Sequence, residues 1–187
     1  MTFALGEIDR RLAGLVRPCS VIALDLTADP PACRVTDGEW TSAWVRWHSP
    51  AAGRARCWRV PSLGEQGALV SPSGDVAQGT FVPGLFGDAG AAPDNRDHIL
   101  AWHFEDGGVL EYDWAAKRYR IELPSGEVRV MVAGAMFTVT DSSITAEAPS
   151  LRLLGKVEVD GPLHATGDIT SAGSILDTTG NSNHHKH

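Results

Sequence analysis

A chain of 187 residues is long enough for one modest domain with an appendage, or for two small domains. Its 23 acidic against 16 basic side chains, a formal net charge of -7, argue against a phosphate-binding surface, because nucleic-acid affinity rests mainly on clustered Lys and Arg. No apolar run approaches a membrane span, Glu7, Asp9, Arg10 and Arg11 interrupt any secretory segment, and Cys19, Cys33 and Cys57 form no C-x-x-C, so a soluble cytoplasmic chain with reduced thiols is expected.

Phe3, Leu5, Ile8, Leu12, Leu15 and Val16 fall near helical spacing, which predicts a short amphipathic helix over residues 2–16 that Pro18 closes. Such a helix either packs on its own domain or serves as a docking handle. Five strand candidates follow, at residues 21–27, 32–36, 40–48, 67–72 and 79–83. Joined by Pro and Gly turns, they suggest a small Greek-key barrel. Residues 50–56 and 87–97 read as loops. If residues 40–48 form a strand, Trp40 and Trp44 share one face and Trp47 lies on the other. With the acidic balance and only scattered Arg46, Arg54, Arg56 and Arg59, these rings and Trp58 are assigned to core and subunit packing, not to base stacking. Residues 99–104 and 109–114 form a hairpin turning at Asp106-Gly107-Gly108, with a domain boundary near 105–115.

From Tyr119 to His187 apolar residues recur every second position: Tyr119, Ile121 and Leu123; Val128, Val130 and Val132; Phe137 and Val139; Ile144, Ala146 and Ala148; Leu151 and Leu153; Val157 and Val159; Leu163, Ala165 and Ile169. Period two means strand with one dry face. Turn residues break the run at Pro124-Ser125-Gly126, Gly134, Asp141-Ser142-Ser143, Pro149-Ser150, Gly155, Asp160-Gly161-Pro162 and Gly173. Short one-sided strands with no helix to cover them do not bury that side within one chain. The break spacing drifts, which excludes a monomeric solenoid with a fixed repeat. Three copies wound into a prism satisfy the pattern, and an antiparallel sheet on a monomeric sandwich is the alternative.

The run ends on His184, His185, Lys186 and His187. In an extended segment His185 and His187 point to one side, and a threefold axis would gather two imidazoles from each chain around one point. Six imidazoles suit iron(II) or nickel better than a four-coordinate structural zinc. A disordered tail is the competing account of the same residues.

The residues then resemble a known family, the baseplate assembly protein V group of contractile phage tails and phage-tail-like bacteriocins. The resemblance is carried by Trp58-Arg59-Val60-Pro61 with Gly64-Glu65-Gln66-Gly67, by Ser73-Gly74-Asp75 and Gly79, and by Val82-Pro83-Gly84-Leu85. Asp106-Gly107-Gly108 with Glu111-Tyr112-Asp113, Gly167-Asp168-Ile169 and His185-Lys186-His187 continue it in order. It implies a mainly β chain: an N-terminal helix (1–17), an OB-fold domain (18–108), an intertwined trimeric β-helix (109–179) and a histidine-bearing apex (180–187). It further implies one structural iron ion per trimer on His185 and His187, with His184 a competing ligand. By the same resemblance the protein is the central tail spike, at the baseplate tip of the virion and assembled in the bacterial cytoplasm. Its implied partners are tail hub and baseplate proteins and, on sheath contraction, the host cell envelope, with no nucleic acid. A spike of a related secretion or bacteriocin apparatus, or an acidic OB-type binding module on a trimeric stalk, is the alternative.

Catalysis finds little support in the sequence: a metalloenzyme using the terminal histidines in an open site would call for a nearby carboxylate, and the tail offers only Asp177. Asp25, Asp29, Glu39 and Glu65 fall on different elements, and no G-x-S-x-G, H-E-x-x-H or phosphate-cradling loop occurs. His48, His98, His103 and His164 stand isolated, so a protein that is not an enzyme is expected.

Overall fold

The computed structural model describes residues 2–173. The histidine apex, with His184, His185 and His187, lies outside the described residues. By its internal contacts the chain divides after Glu122 into two units.

The first unit opens with α1 (Thr2–Leu15), where Glu7 bridges Arg10 at 2.9 Å and Arg11 at 2.7 Å along one helix face. Only its last turns are seated. A Cβ on Gly14 would lie 2.7 Å from the Gly74 carbonyl oxygen, so the helix backbone rests directly on the 3₁₀ turn Pro72–Gly74. Leu5, Ile8 and Leu12 stay exposed.

Pro18 does not separate helix from strand as expected; it lies inside β1 (Val16–Asp25). The reason is position: residues 16–19 of β1 have only β3 (Gln66–Val70) beside them, so the missing N–H falls where the sheet edge is free. From Ser20 onward β1 also pairs with β2 (Ala32–Thr36), and β3 pairs with β4 (Thr80–Leu85). The antiparallel order is β2-β1-β3-β4.

The strand expected over residues 40–48 is absent, and with it the parity argument for its tryptophans. Ser42 competes with the backbone ladder: its buried Oγ accepts the Val35 N–H at 2.9 Å and donates to the Ala43 carbonyl at 2.6 Å. The segment still joins the sheet edges through single contacts. Val45 exchanges backbone bonds with Cys33 at 2.8 and 2.9 Å, while Phe81 donates to Arg46 and His48 to Phe81, both at 2.8 Å. Residues 40–48 therefore bridge β2 to β4 and close the sheet into a barrel. Inside lie Cys19, Val21, Cys33, Val35, Val45, Leu69 and Phe81, with Trp40 and Trp47 packed against them. Trp44 and Trp58 are exposed, so core packing accounts for two of these four rings and not the others.

The predicted hairpin forms as β5 (Ile99–His103) and β6 (Val109–Asp113), its turn held by the Asp106 carboxylate accepting the Gly108 N–H at 2.9 Å. A third strand, β7 (Arg118–Glu122), pairs with β6, so Tyr119 and Ile121 belong to the sheet β5-β6-β7.

The second unit is a meander of β8 (Val128–Val132), β9 (Ala135–Val139) and β10 (Ile144–Glu147), in the order β10-β9-β8. Residues 148–173 carry no regular element, although strands were expected at 151–153, 157–159 and 163–169. A strand exists only with a neighbour to take its backbone bonds, and among the described residues this segment pairs with none. Leu151, Leu153, Leu154, Val157, Val159, Leu163 and Ile169 all stand exposed.

Candidate assembly interface

Register alone sorts the side chains of both sheets into faces, because directly paired residues share a side. In the second unit Val128, Val139 and Ile144 form one cross-strand row, Val130, Phe137 and Ala146 the next, and Val132 with Ala135 a third. Every member is apolar. The opposite face carries Arg129, Thr138 and Thr145, then Met131, Met136 and Glu147. The apolar face is open in one chain: Val130, Val132, Phe137 and Ile144 are exposed, and the first three border a shallow groove of about 260 Å³ that continues past Ala148 to Leu151. A contiguous apolar surface of this kind marks an interaction site.

The sheet β5-β6-β7 is divided in the same way. Leu100, Tyr112 and Tyr119 form one row, and Trp102, Leu110 and Ile121 the next. The Tyr112 and Tyr119 rings lie 5.9 Å apart, and this face is largely exposed. The other face is charged and settled inside the chain. Glu111, only 2% exposed, accepts from the Arg96 guanidinium at 2.7 Å and lies 3.5 Å from that of Arg120. Arg96 also grips Asp94 at 2.6 Å and stands 3.8 Å from Asp113, while His98 Nδ1 lies 3.2 Å from Asp113. The Arg96 guanidinium holds the Asp94 carboxyl well below the usual carboxylate range, and the Ala116 N–H does most to lower Asp113, with His98 assisting. A buried carboxylate needs such partners, since an unpaired one would be expelled or neutralised.

Four of the residues weighed for chemistry in the sequence, Asp25, Glu65, His48 and His98, make local hydrogen bonds or ion pairs. Asp25 caps the following turn through the Thr27 and Ala28 N–H groups, and Glu65 pairs with Arg59 at 2.6 Å while accepting the Ser62 N–H. His48 Nε2 meets the Thr80 hydroxyl at 2.9 Å. His98, isolated in the sequence, is brought to Asp113. Among the described residues no three His, Cys, Asp or Glu side chains converge as metal ligands. His185 and His187 fall outside those residues.

The Arg96 network and the aromatic face of β5-β6-β7 were not identified from the sequence. Their signal was present: Glu111 and Asp113 alternate with Leu110 and Tyr112, and Arg118 and Arg120 alternate with Tyr119 and Ile121. Opposite charges at matching parity on neighbouring strands announce a paired polar face.

Two family descriptions match the chain. The Type VI secretion system/phage-baseplate injector OB domain matches residues 17–86, which hold the barrel, and the Gp138 β-helical trimerization domain matches residues 100–171. The chain is 28% identical to the spike protein of Escherichia phage P2, over 98% of its own length and 92% of that protein's.

Proposed function

We propose that the chain, which matches an injector OB domain and a β-helical trimerization domain, is a member of the phage baseplate assembly protein V family and the central spike of a contractile phage tail. Three copies wind together with their apolar faces inward and form a needle that sheath contraction drives into the host cell envelope. The observation that carries this reading is the unbroken apolar face of β8, β9 and β10, which a single chain leaves open to water.

A piercing device must resist unfolding under load, and interwinding supplies that resistance. Residues 148–173, which form no regular element among the described residues, gain backbone partners and apolar cover from neighbouring copies at the same time. Separating one chain then requires separating three. The role is mechanical and not catalytic, and places the protein at the baseplate tip of the virion, gripped by tail hub and baseplate proteins.

His185 and His187 complete the proposal as ligands of one iron ion per trimer. The donor set fits: two imidazoles from each of three chains fill an octahedron of the kind iron(II) accepts. When bound, the ion ties three chain ends at one point and has no open position for chemistry. Elemental analysis of untagged protein, run beside sedimentation, tests both parts. A trimer with about one iron per three chains is expected. His185→Ala with His187→Ala removes the metal and loosens the end while the trimer stays folded. A metal-free trimer would refute the histidine site alone, and a monomer would refute the spike.

A further inference from the structure

We infer that the contact between copies reaches back from the trimerization domain into the barrel: the groove between the end of β4 and β5 is filled by apolar side chains of a neighbouring copy of this chain. The inference rests on the trimeric reading and extends it to a surface outside the needle.

The groove encloses about 570 Å³ and is walled by Leu85 and Phe86 on one side and by Leu100 and Trp102 on the other. Phe86 is 68% exposed, although it directly follows the strand that supplies Phe81 to the barrel core. A phenyl ring left in water beside an open apolar groove is a contact awaiting its partner.

Continuity identifies that partner. Leu100 and Trp102 stand at the start of the region that matches the β-helical trimerization domain, residues 100–171. By register they share a sheet face with Leu110, Tyr112, Tyr119 and Ile121, so the groove is the barrel-side margin of a surface that the trimeric reading assigns to contact between copies. A small polar ligand fits poorly. Arg59 and Glu65 on the wall satisfy each other at 2.6 Å, and Glu65 takes the Ser62 N–H as well, so of the polar side chains that line the groove only Ser62, Gln66 and His103 are left to recognise one. In a cyclic trimer each copy offers the groove to one neighbour and receives it from the other, so three identical contacts close without a leftover.

The test places the photo-crosslinking residue p-benzoylphenylalanine at position 86 of the full chain, with a second variant carrying it at position 130. Irradiation of the purified trimer is expected to yield covalent dimers and trimers of the chain from both positions, with the position 86 products mapping to a neighbouring copy. A sedimenting trimer in which position 86 gives no product between chains, or products only within its own chain, overturns the inference and leaves the spike standing. A protein that sediments as a monomer overturns the trimeric reading and this inference together.

Discussion

Phe137 is the side chain on which the trimeric reading is most exposed to refutation. It sits in the middle row of the open face, between Val130 and Ala146, and 45% of it is uncovered in one chain. A phenylalanine buries roughly 200 Å², so about 90 Å² of this one waits for cover from another copy, worth about 2 kcal/mol per chain at about 25 cal/mol per Å². Three chains bring about 7 kcal/mol to the assembly, or about five orders of magnitude in its equilibrium constant. The concentration at half-dissociation varies as the square root of that constant, so Phe137→Ala raises it by about 300-fold. Sedimentation over a dilution series in fixed urea reads the shift, with Thr145→Ala on the opposite face as the control. If Phe137→Ala dissociates at the wild-type concentration, the face is not the trimer core and the argument fails.

Two further outcomes test the barrel and the charged layer. A Cβ on Gly67 would lie 2.2 Å from the Val82 carbonyl oxygen and 2.7 Å from the Phe81 ring, so Gly67→Ala costs about 2–4 kcal/mol in thermal unfolding. Gly6→Ala, with nothing within 4 Å, raises helix content and gains up to about 1 kcal/mol, and equal melting of the two variants would contradict the packing. Asp94 and Asp113 titrate below their unfolded values, and Glu7 is held down to about 2 by Arg10 and Arg11. Their contribution is fully present above the unfolded carboxylate range and is lost as pH falls through the folded values, so the unfolding midpoint stays level from about pH 7 to 5 and drops below about 4. Arg96→Met removes the main partner of Asp94 and makes that drop shallower. An unchanged acid slope in that variant would show that the network does not carry the effect.

What could be read from the sequence and what could not divide along a physical line. α1 and β2 were legible because helical spacing and a short β-branched run act locally. The segment at 40–48 was misread because one hydroxyl, Ser42 Oγ, takes a backbone donor that a strand would have used, and no periodicity records that choice. Pro18 was misread because whether a proline ends an element depends on which of its sides carries a neighbour. Beyond Glu147 the alternation was plain but the pairing was not, since a strand's partner is a fact about another segment. Arg96 was missed for the same reason: it reaches Glu111 from a loop fifteen positions earlier.

The sheet β5-β6-β7 shows how one stretch of sequence states both what is settled within the chain and what is left for other copies. Along β6 the order Leu110-Glu111-Tyr112-Asp113 sends carboxylates to one side and apolar groups to the other, and along β7 Tyr119-Arg120-Ile121-Glu122 repeats the division with basic and acidic groups. The charged side can be satisfied at once, because Arg96 and Arg120 supply opposite charge from the same chain and so fix the register before any assembly. The apolar side gains nothing until a neighbouring surface arrives. In β8, β9 and β10 the described residues show no charged pair between strands, Arg129 meeting Glu127 just before its own strand, and the apolar face is complete. Along the chain, groups paired within one copy give way to apolar surface that one copy leaves open, and on the trimeric reading it is this surface that neighbouring copies cover.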